Sequence, residues 1–266
     1  MFKRVLELPK NSFFLFGPRS TGKSTWLEIE LPDAVKIDLL SNKDFLTFFK
    51  DPSSIQKVID ATPIEKWIVI DEIQKVPALL DEIHLALQRS KGKRKFALTG
   101  SSARKIKQSG ANMLAGRALT RNFFPLMLGE LNGAMSLNDI LKYGTLPLIS
   151  SQEDNDSRID FLESYVTTYL KEEIQQEALV KRLDSFTRFL EIMAILNGQI
   201  LNVTNVASDA KVARTTVNGY VDILRDTLIG YLLPAWRPKI KVKEVEHPKF
   251  YLFDPGVIRA ISGKLR

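Results

Sequence analysis

Gly17-Pro18-Arg19-Ser20-Thr21-Gly22-Lys23-Ser24 fits the pattern G-x-x-x-x-G-K-[ST]. The apolar run Ser12-Phe13-Phe14-Leu15-Phe16 precedes it, and Lys23 to Glu30 follows as a segment that stops before Pro32. A short apolar run of this kind reads as a strand buried on both faces. Strand, glycine loop and helix form the context that the pattern requires, because each part has a task. The glycines let the backbone curl so that successive N–H groups face inward, and the helix start adds the positive end of its dipole. The spacing predicts a phosphate cradle made of Gly17, Pro18, Arg19, Ser20, Thr21, Gly22, Lys23, Ser24 and Thr25. Lys23 is placed to reach the β- and γ-phosphates of a nucleotide, and the Ser24 hydroxyl to ligate Mg²⁺.

Further apolar runs lie at Ala34 to Leu39, Trp67 to Ile70 and Phe96 to Thr99, with Ala118 to Phe124 as a fifth candidate. A helix entered at Pro77 separates the third from the fourth, with Leu79, Leu80, Ile83 and Leu87 on one face. This alternation predicts an α/β fold, a parallel sheet with helices on both faces. The third run ends in Asp71-Glu72. An aspartate at the sheet's C-terminal edge can hold magnesium through water, and the adjacent Glu72 can orient or deprotonate the attacking water. The fourth run ends in Thr99-Gly100-Ser101-Ser102. Thr99 or Ser101 there serves the γ-phosphate or the lytic water, or else caps the next helix.

Past Pro125 the pattern turns helical. Ile159, Leu162, Val166, Tyr169 and Leu170 mark one long amphipathic helix; Phe186, Phe189, Leu190 and Met193 mark another, stopped near Gly198. Val203 to Ala210 and Val217 to Leu224 read as two short helices around the turn Lys211-Val212-Ala213. Extended segments at Leu228 to Trp236 and Lys249 to Phe253 then complete a winged helix-turn-helix pattern. The expected organisation is a phosphate-loop domain over 1–125, a helical lid or linker over 126–184 and a winged-helix-like domain over 185–266. Gln152 to Ser157 is the expected surface linker.

Composition limits the chemistry. The 266 residues include no Cys and two His, so disulfides, thiolate catalysis and multi-His metal centres are excluded. No apolar run approaches the ~20 residues of a membrane-crossing helix. Glu7 and Pro9 interrupt the N-terminus before a signal-peptide core forms, so the sequence reads as soluble and cytoplasmic. The net charge of +7 is concentrated: residues 89–107 hold eight basic groups and no acid, and residues 237–266 hold eight against three. Ser90 to Lys95 falls before the fourth strand, away from the phosphate loop, and reads as a solvated loop. The outward face of the second short helix carries Arg214, Thr215, Asn218 and Asp222, with Lys211 in the turn and Lys239, Lys241 and Lys243 in the wing. These groups suit duplex DNA, although Asp222 opposes phosphate and such modules also serve as protein contacts.

The sequence resembles the bacterial and archaeal P-loop ATPases of the AAA+ superfamily that carry a winged-helix region and, in longer members, a restriction-nuclease-like C-terminal domain. The resemblance rests on Phe16-Gly17-Pro18-Arg19, on Asp71-Glu72-Ile73-Gln74-Lys75-Val76-Pro77 and on Leu98-Thr99-Gly100-Ser101-Ser102-Ala103-Arg104-Lys105. Leu114-Ala115-Gly116-Arg117, Phe124-Pro125-Leu126, Gly129-Glu130-Leu131, Tyr165 to Leu170 and Phe250 to Gly256 extend it over nearly the whole chain. It implies ATP and ADP as ligands, Mg²⁺ as cofactor and a homo-oligomer as an assembly. It also implies that Arg117 acts as an arginine finger, in cis or toward a neighbouring subunit; an Arg after Ala-Gly otherwise binds a helix C-terminus or a carboxylate. Longer relatives continue past Asp254-Pro255-Gly256, so no nuclease active site is expected before Arg266. Two functions follow: an ATPase that moves its winged helix, or an ATP-gated DNA- or protein-binding regulator with negligible turnover. A phosphotransferase for small metabolites fits less well, since the Asp-Glu pair suits activation of water.

Overall fold

The computed structural model describes residues 2–101, 104, 106, 114–170, 183–236 and 247–266. The chain divides into two compact units, residues 3–124 and residues 125–266.

The first unit is built on β1 (Phe13–Phe16), α1 (Lys23–Glu30), β2 (Val35–Asp38), α2 (Asn42–Lys50), α3 (Ile55–Ala61), β3 (Trp67–Asp71), α4 (Leu79–Arg89), β4 (Lys95–Gly100) and β5 (Leu119–Asn122). The strands form one parallel sheet in the order β2-β3-β4-β1-β5. The expected α/β architecture is observed, and all five apolar runs are strands. β1 lies at 0–2% exposure throughout, as its unbroken apolar sequence requires. Side chains alternate across it: Phe13 and Leu15 pack with Trp26, Leu27 and Leu31 of the α1 side, and Phe14 and Phe16 face the other way. The order matters for chemistry. β4 lies between the strand that feeds the glycine loop and the strand that ends in Asp71, so three strand ends meet at one edge.

The basic run before β4 is only partly a solvated loop. Lys91, Gly92 and Lys93 are exposed, but Arg94 is buried, and its guanidinium donates to the carbonyls of Thr62 (2.8 Å) and Pro63 (2.7 Å) beyond the end of α3. Charge-assisted bonds to two carbonyls just past the helix end explain why one cation of this run is taken inside.

The second unit contains α5 (Leu137–Tyr143), α6 (Asn155–Ser164), α7 (Leu183–Ile195), α8 (Val203–Ala210), α9 (Arg214–Asp226), the antiparallel pair β6 (Gly230–Leu233) and β7 (Lys249–Leu252), and α10 (Pro255–Ile261). One apolar cluster runs from Leu126 to Ile261, with Phe186 and Phe189 packed on Tyr220. The single long helix expected through Leu170 is instead α6 followed by a π-helical turn over Tyr165–Leu170. Gln152 to Asp154 is a short connection inside this unit, and α6 begins at Asn155 with Asp154 capping it. Asp254 is wholly buried: its carboxylate accepts from Thr145 N–H (2.7 Å) and from Val257 N–H (3.0 Å) at the start of α10. Burial pushes its carboxyl up from 3.8 to about 6. Gly256 is needed at this junction because a Cβ there would lie 2.0 Å from the Tyr143 carbonyl.

Candidate functional site

The glycine loop leaves β1 at Gly17 and enters α1 at Lys23. Its curl shows in two left-handed residues, Ser20 (φ 61°) and Gly22 (φ 88°). Gly17 is required for another reason: a Cβ would stand 2.0 Å from the Phe123 carbonyl just past β5. Thr21 is fully buried and its hydroxyl donates to the Pro18 carbonyl (2.9 Å), closing the loop on itself. Lys23 is 6% exposed, and its ammonium donates to the carbonyls of Gly17 (2.7 Å) and Pro18 (3.0 Å). The first turn of α1 holds no acidic residue, so nothing on the helix competes with an anion for its N-terminal charge. Ser24 and Thr25 are exposed on this turn, Arg19 is half-buried and Pro18 buried.

Opposite the loop, the register pairs Ile70 with Leu98, so Asp71 lies beside Thr99. Ser24 Oγ donates to Asp71 Oδ2 (2.7 Å), and Thr99 Oγ1 donates to Asp71 Oδ1. The same Thr99 oxygen accepts from the Glu72 backbone N–H (3.2 Å). One hydroxyl thereby fixes both acidic residues. Thr99 has no exposed surface and its only proton is committed to Asp71, so it serves here as an internal brace. Ser101, 2% exposed, accepts from the side chain of Gln74 (3.2 Å).

Glu72 takes a left-handed conformation (φ 59°), costly for a residue with a Cβ, and turns the chain from β3 into a short 3-10 turn. Its carboxylate is largely buried and accepts from Gln74 Nε2. Gln74 was not among the residues singled out by spacing. Its amide bridges Glu72 and Ser101, and a carboxylate partner fixes which end of the amide carries nitrogen. That leaves Oε1 buried without a partner among the described residues, 2.5 Å from where a Cβ on Gly100 would stand. A polar residue two positions after Glu72 in a tight turn was the available signal.

Arg117 is not brought to this site in its own chain. It precedes β5, whose first residue Leu119 pairs with Phe13 at the start of β1, so it lies at the sheet edge opposite the loop. Its guanidinium lies 3.2 Å from His84 Nε2 of α4. The topology of the described residues thus keeps Arg117 away from the loop of its own chain. In the second unit Lys211, Arg214, Thr215 and Asn218 are exposed around the start of α9, with Lys211 left-handed at the turn. Asp222 pairs with Arg225 (3.5 Å) on the same exposed face. Lys239, Lys241 and Lys243 lie outside the described residues.

Residues 9–132 match the family described as an AAA domain. Over these residues the chain is an AAA-type domain. Residues 135–265 match a domain of unknown function, DUF8612. The chain is 24% identical over 250 residues to the uncharacterized protein Rv2008c of Mycobacterium tuberculosis, covering 94% of this chain and 55% of that one. It is 19% identical over 180 residues to the uncharacterized protein MJ1544 of Methanocaldococcus jannaschii, covering 59% of this chain and 40% of that one. The chain spans about half the length of the curated relatives it matches. Among solved structures, the Aeropyrum pernix ORC1 protein in complex with DNA aligns over 97% of this chain and 87% of that chain, at 13% identity and a TM-score of 0.33. Among the described residues no helix is long and apolar enough to cross a membrane.

Proposed function

We propose that this AAA-type protein binds ATP with Mg²⁺ at the glycine loop and hydrolyses it, and that nucleotide state alters the helical second unit. The observation that supports this most is the hydrogen-bonded chain Ser24–Asp71–Thr99–Glu72 facing the buried Lys23 across three adjacent strand ends. Ser24 and Asp71 present two hard oxygen donors 2.7 Å apart, and among the described residues there is no cluster of three His, Cys, Asp or Glu. That donor set fits Mg²⁺, which takes one or two protein oxygens, waters and phosphates. When bound, the ion supplies neutralisation of the phosphate charge.

The remaining work falls to the chain. Lys23 exchanges two neutral carbonyls for phosphate oxygens, a gain in charge pairing that costs little in side-chain ordering because the residue is already held. The inward N–H groups of the loop cradle the same phosphates. Glu72 takes the proton of the attacking water, braced through its backbone by Thr99 and through its carboxylate by Gln74. Arg117 assists only from a neighbouring copy. The segment α8-turn-α9-β6-β7 acts as a winged helix-turn-helix, with Lys211, Arg214, Thr215 and Asn218 as its contact face for duplex DNA or a protein partner. Equilibrium titration with Mg·ATP tests the first step: wild type binds, and Lys23→Ala loses most of the affinity. Equal affinity in the two would reject the site. Turnover with and without duplex DNA at low salt tests the second, since DNA bound through phosphates is lost steeply as salt rises.

A further inference from the structure

Arg4 lies in the segment before β1, outside every motif, yet it makes the longest-range polar link of the site. Its Nη1 donates to the Thr21 carbonyl in the glycine loop (2.9 Å) and its Nη2 to the Phe124 carbonyl (2.5 Å). The guanidinium plane covers the Phe123 ring, with Cζ 3.9 Å from the ring centre. Phe123 is in turn 2% exposed and packed on Trp26 of α1, ring centres 5.6 Å apart. Phe123 also accepts the close approach of Gly17 and donates its N–H to Phe16 O (2.7 Å).

Phe124 is the last residue of the first unit. Within the loop, the Gly17 and Pro18 carbonyls accept from Lys23, and the Thr21 carbonyl accepts from outside the loop. Arg4 satisfies it with a charge-assisted bond and uses the other half of the guanidinium on the residue from which the chain leaves for the second unit. Gly17 and Thr21, the first and fifth residues of the loop, are thus both tied to residues 123–124. We propose that Arg4 is a positioning residue that locks the glycine loop to Phe124, so that the loop's response to nucleotide is passed to this junction. The proposal rests on the reading that the loop holds ATP. It adds a specific residue through which that state reaches the rest of the chain.

Hydrogen exchange on the full chain, with and without saturating Mg·ATP, tests it in wild type, Arg4→Met and Arg4→Lys. In wild type ATP protects the loop peptide and changes exchange in the peptide spanning residues 123–131. Arg4→Met keeps the loop protection at saturating ATP but loses the response at the junction, and its ATP Kd rises about ten-fold, the order of one charge-assisted bond. Arg4→Lys, which keeps the charge and one donor group, restores part of the response. A purely structural role predicts a lower melting temperature with an unchanged ATP-induced difference. A junction response of wild-type size in Arg4→Met, or none in wild type despite a protected loop, overturns the link alone. Failure of ATP to protect the wild-type loop overturns the ATP reading, and the link with it.

Discussion

Gly100→Ala should damage catalysis while leaving the fold standing. A Cβ at residue 100 would lie 2.5 Å from Gln74 Oε1, 3.3 Å from Gln74 Cδ and 3.4 Å from a Phe16 ring carbon. The ring contact is tight but tolerable; the amide contact is not. Oε1 is the far end of a side chain, so the amide swings away and the backbone keeps its place. What is lost is the bridge from Gln74 Nε2 to Glu72 and Ser101. A hydrogen bond to a charged group contributes roughly 1.5–3 kcal/mol. If Glu72 needs that bond to stay aimed, turnover falls by about ten- to a hundred-fold. Steady-state ATP hydrolysis, with Lys23→Ala as the background, measures this, and a thermal melt shows that the fold persists. Gln74→Ala should match it, and the double variant Gly100→Ala/Gln74→Ala should be no worse than Gln74→Ala alone, because both changes remove the same bridge. Turnover of Gly100→Ala within two-fold of wild type would refute the reasoning, as would fully additive losses.

Gly17→Ala behaves differently, since the atom it meets is the backbone oxygen of Phe123 at 2.0 Å. Overpacking of about 1–3 kcal/mol should lower the melting temperature by roughly 3–10 °C even without nucleotide. An unchanged melt would show that the loop start has room. Asp254 gives the second unit a pH dependence. Its carboxyl is raised from 3.8 to about 6 by burial, so between those values the folded state keeps a proton that the unfolded chain has released. Asp254's contribution to stability is full below pH 3.8 and falls by about 3 kcal/mol as pH rises through about 6. Urea unfolding across pH 4–7 should show that slope reduced in Asp254→Asn, and parallel profiles would contradict it. Arg117→Ala should leave turnover unchanged at dilutions where the protein is monomeric, because Arg117 lies at the sheet edge away from the loop. A large loss in the monomer would contradict the topology.

The phosphate loop and the sheet were readable because their physics is local. Phe13 to Phe16 form a run apolar on both faces, and the glycine spacing dictates where N–H groups can converge. Asp71 followed from position alone, as the polar end of an apolar strand. Thr99 stands out in the sequence as a candidate at a strand end, and only the strand order puts its hydroxyl between Asp71 and the Glu72 backbone. Arg4 escaped because its partners lie 17 and 120 residues away, where spacing carries no signal, whereas Gln74 offered only a polar side chain in the tight turn after Glu72. Arg117 was attached to the site by family resemblance, and register with β1 places it at the other end of the sheet. In the second unit, the Asp254-Pro255-Gly256 string encodes a helix start and a close backbone approach to Tyr143. Its local half is visible in the sequence; Thr145, which donates to Asp254 from 109 residues earlier, is not.

The most direct test of the account is paired measurement of Mg·ATP affinity and steady-state hydrolysis in Glu72→Gln. The neutral amide keeps the size of the side chain and removes its ability to take a proton. Affinity should stay near that of wild type while turnover drops about a hundred-fold or more. Hydrolysis at the wild-type rate in this variant would mean that the water is activated elsewhere, and the strand-end arrangement described here would not be the catalytic centre.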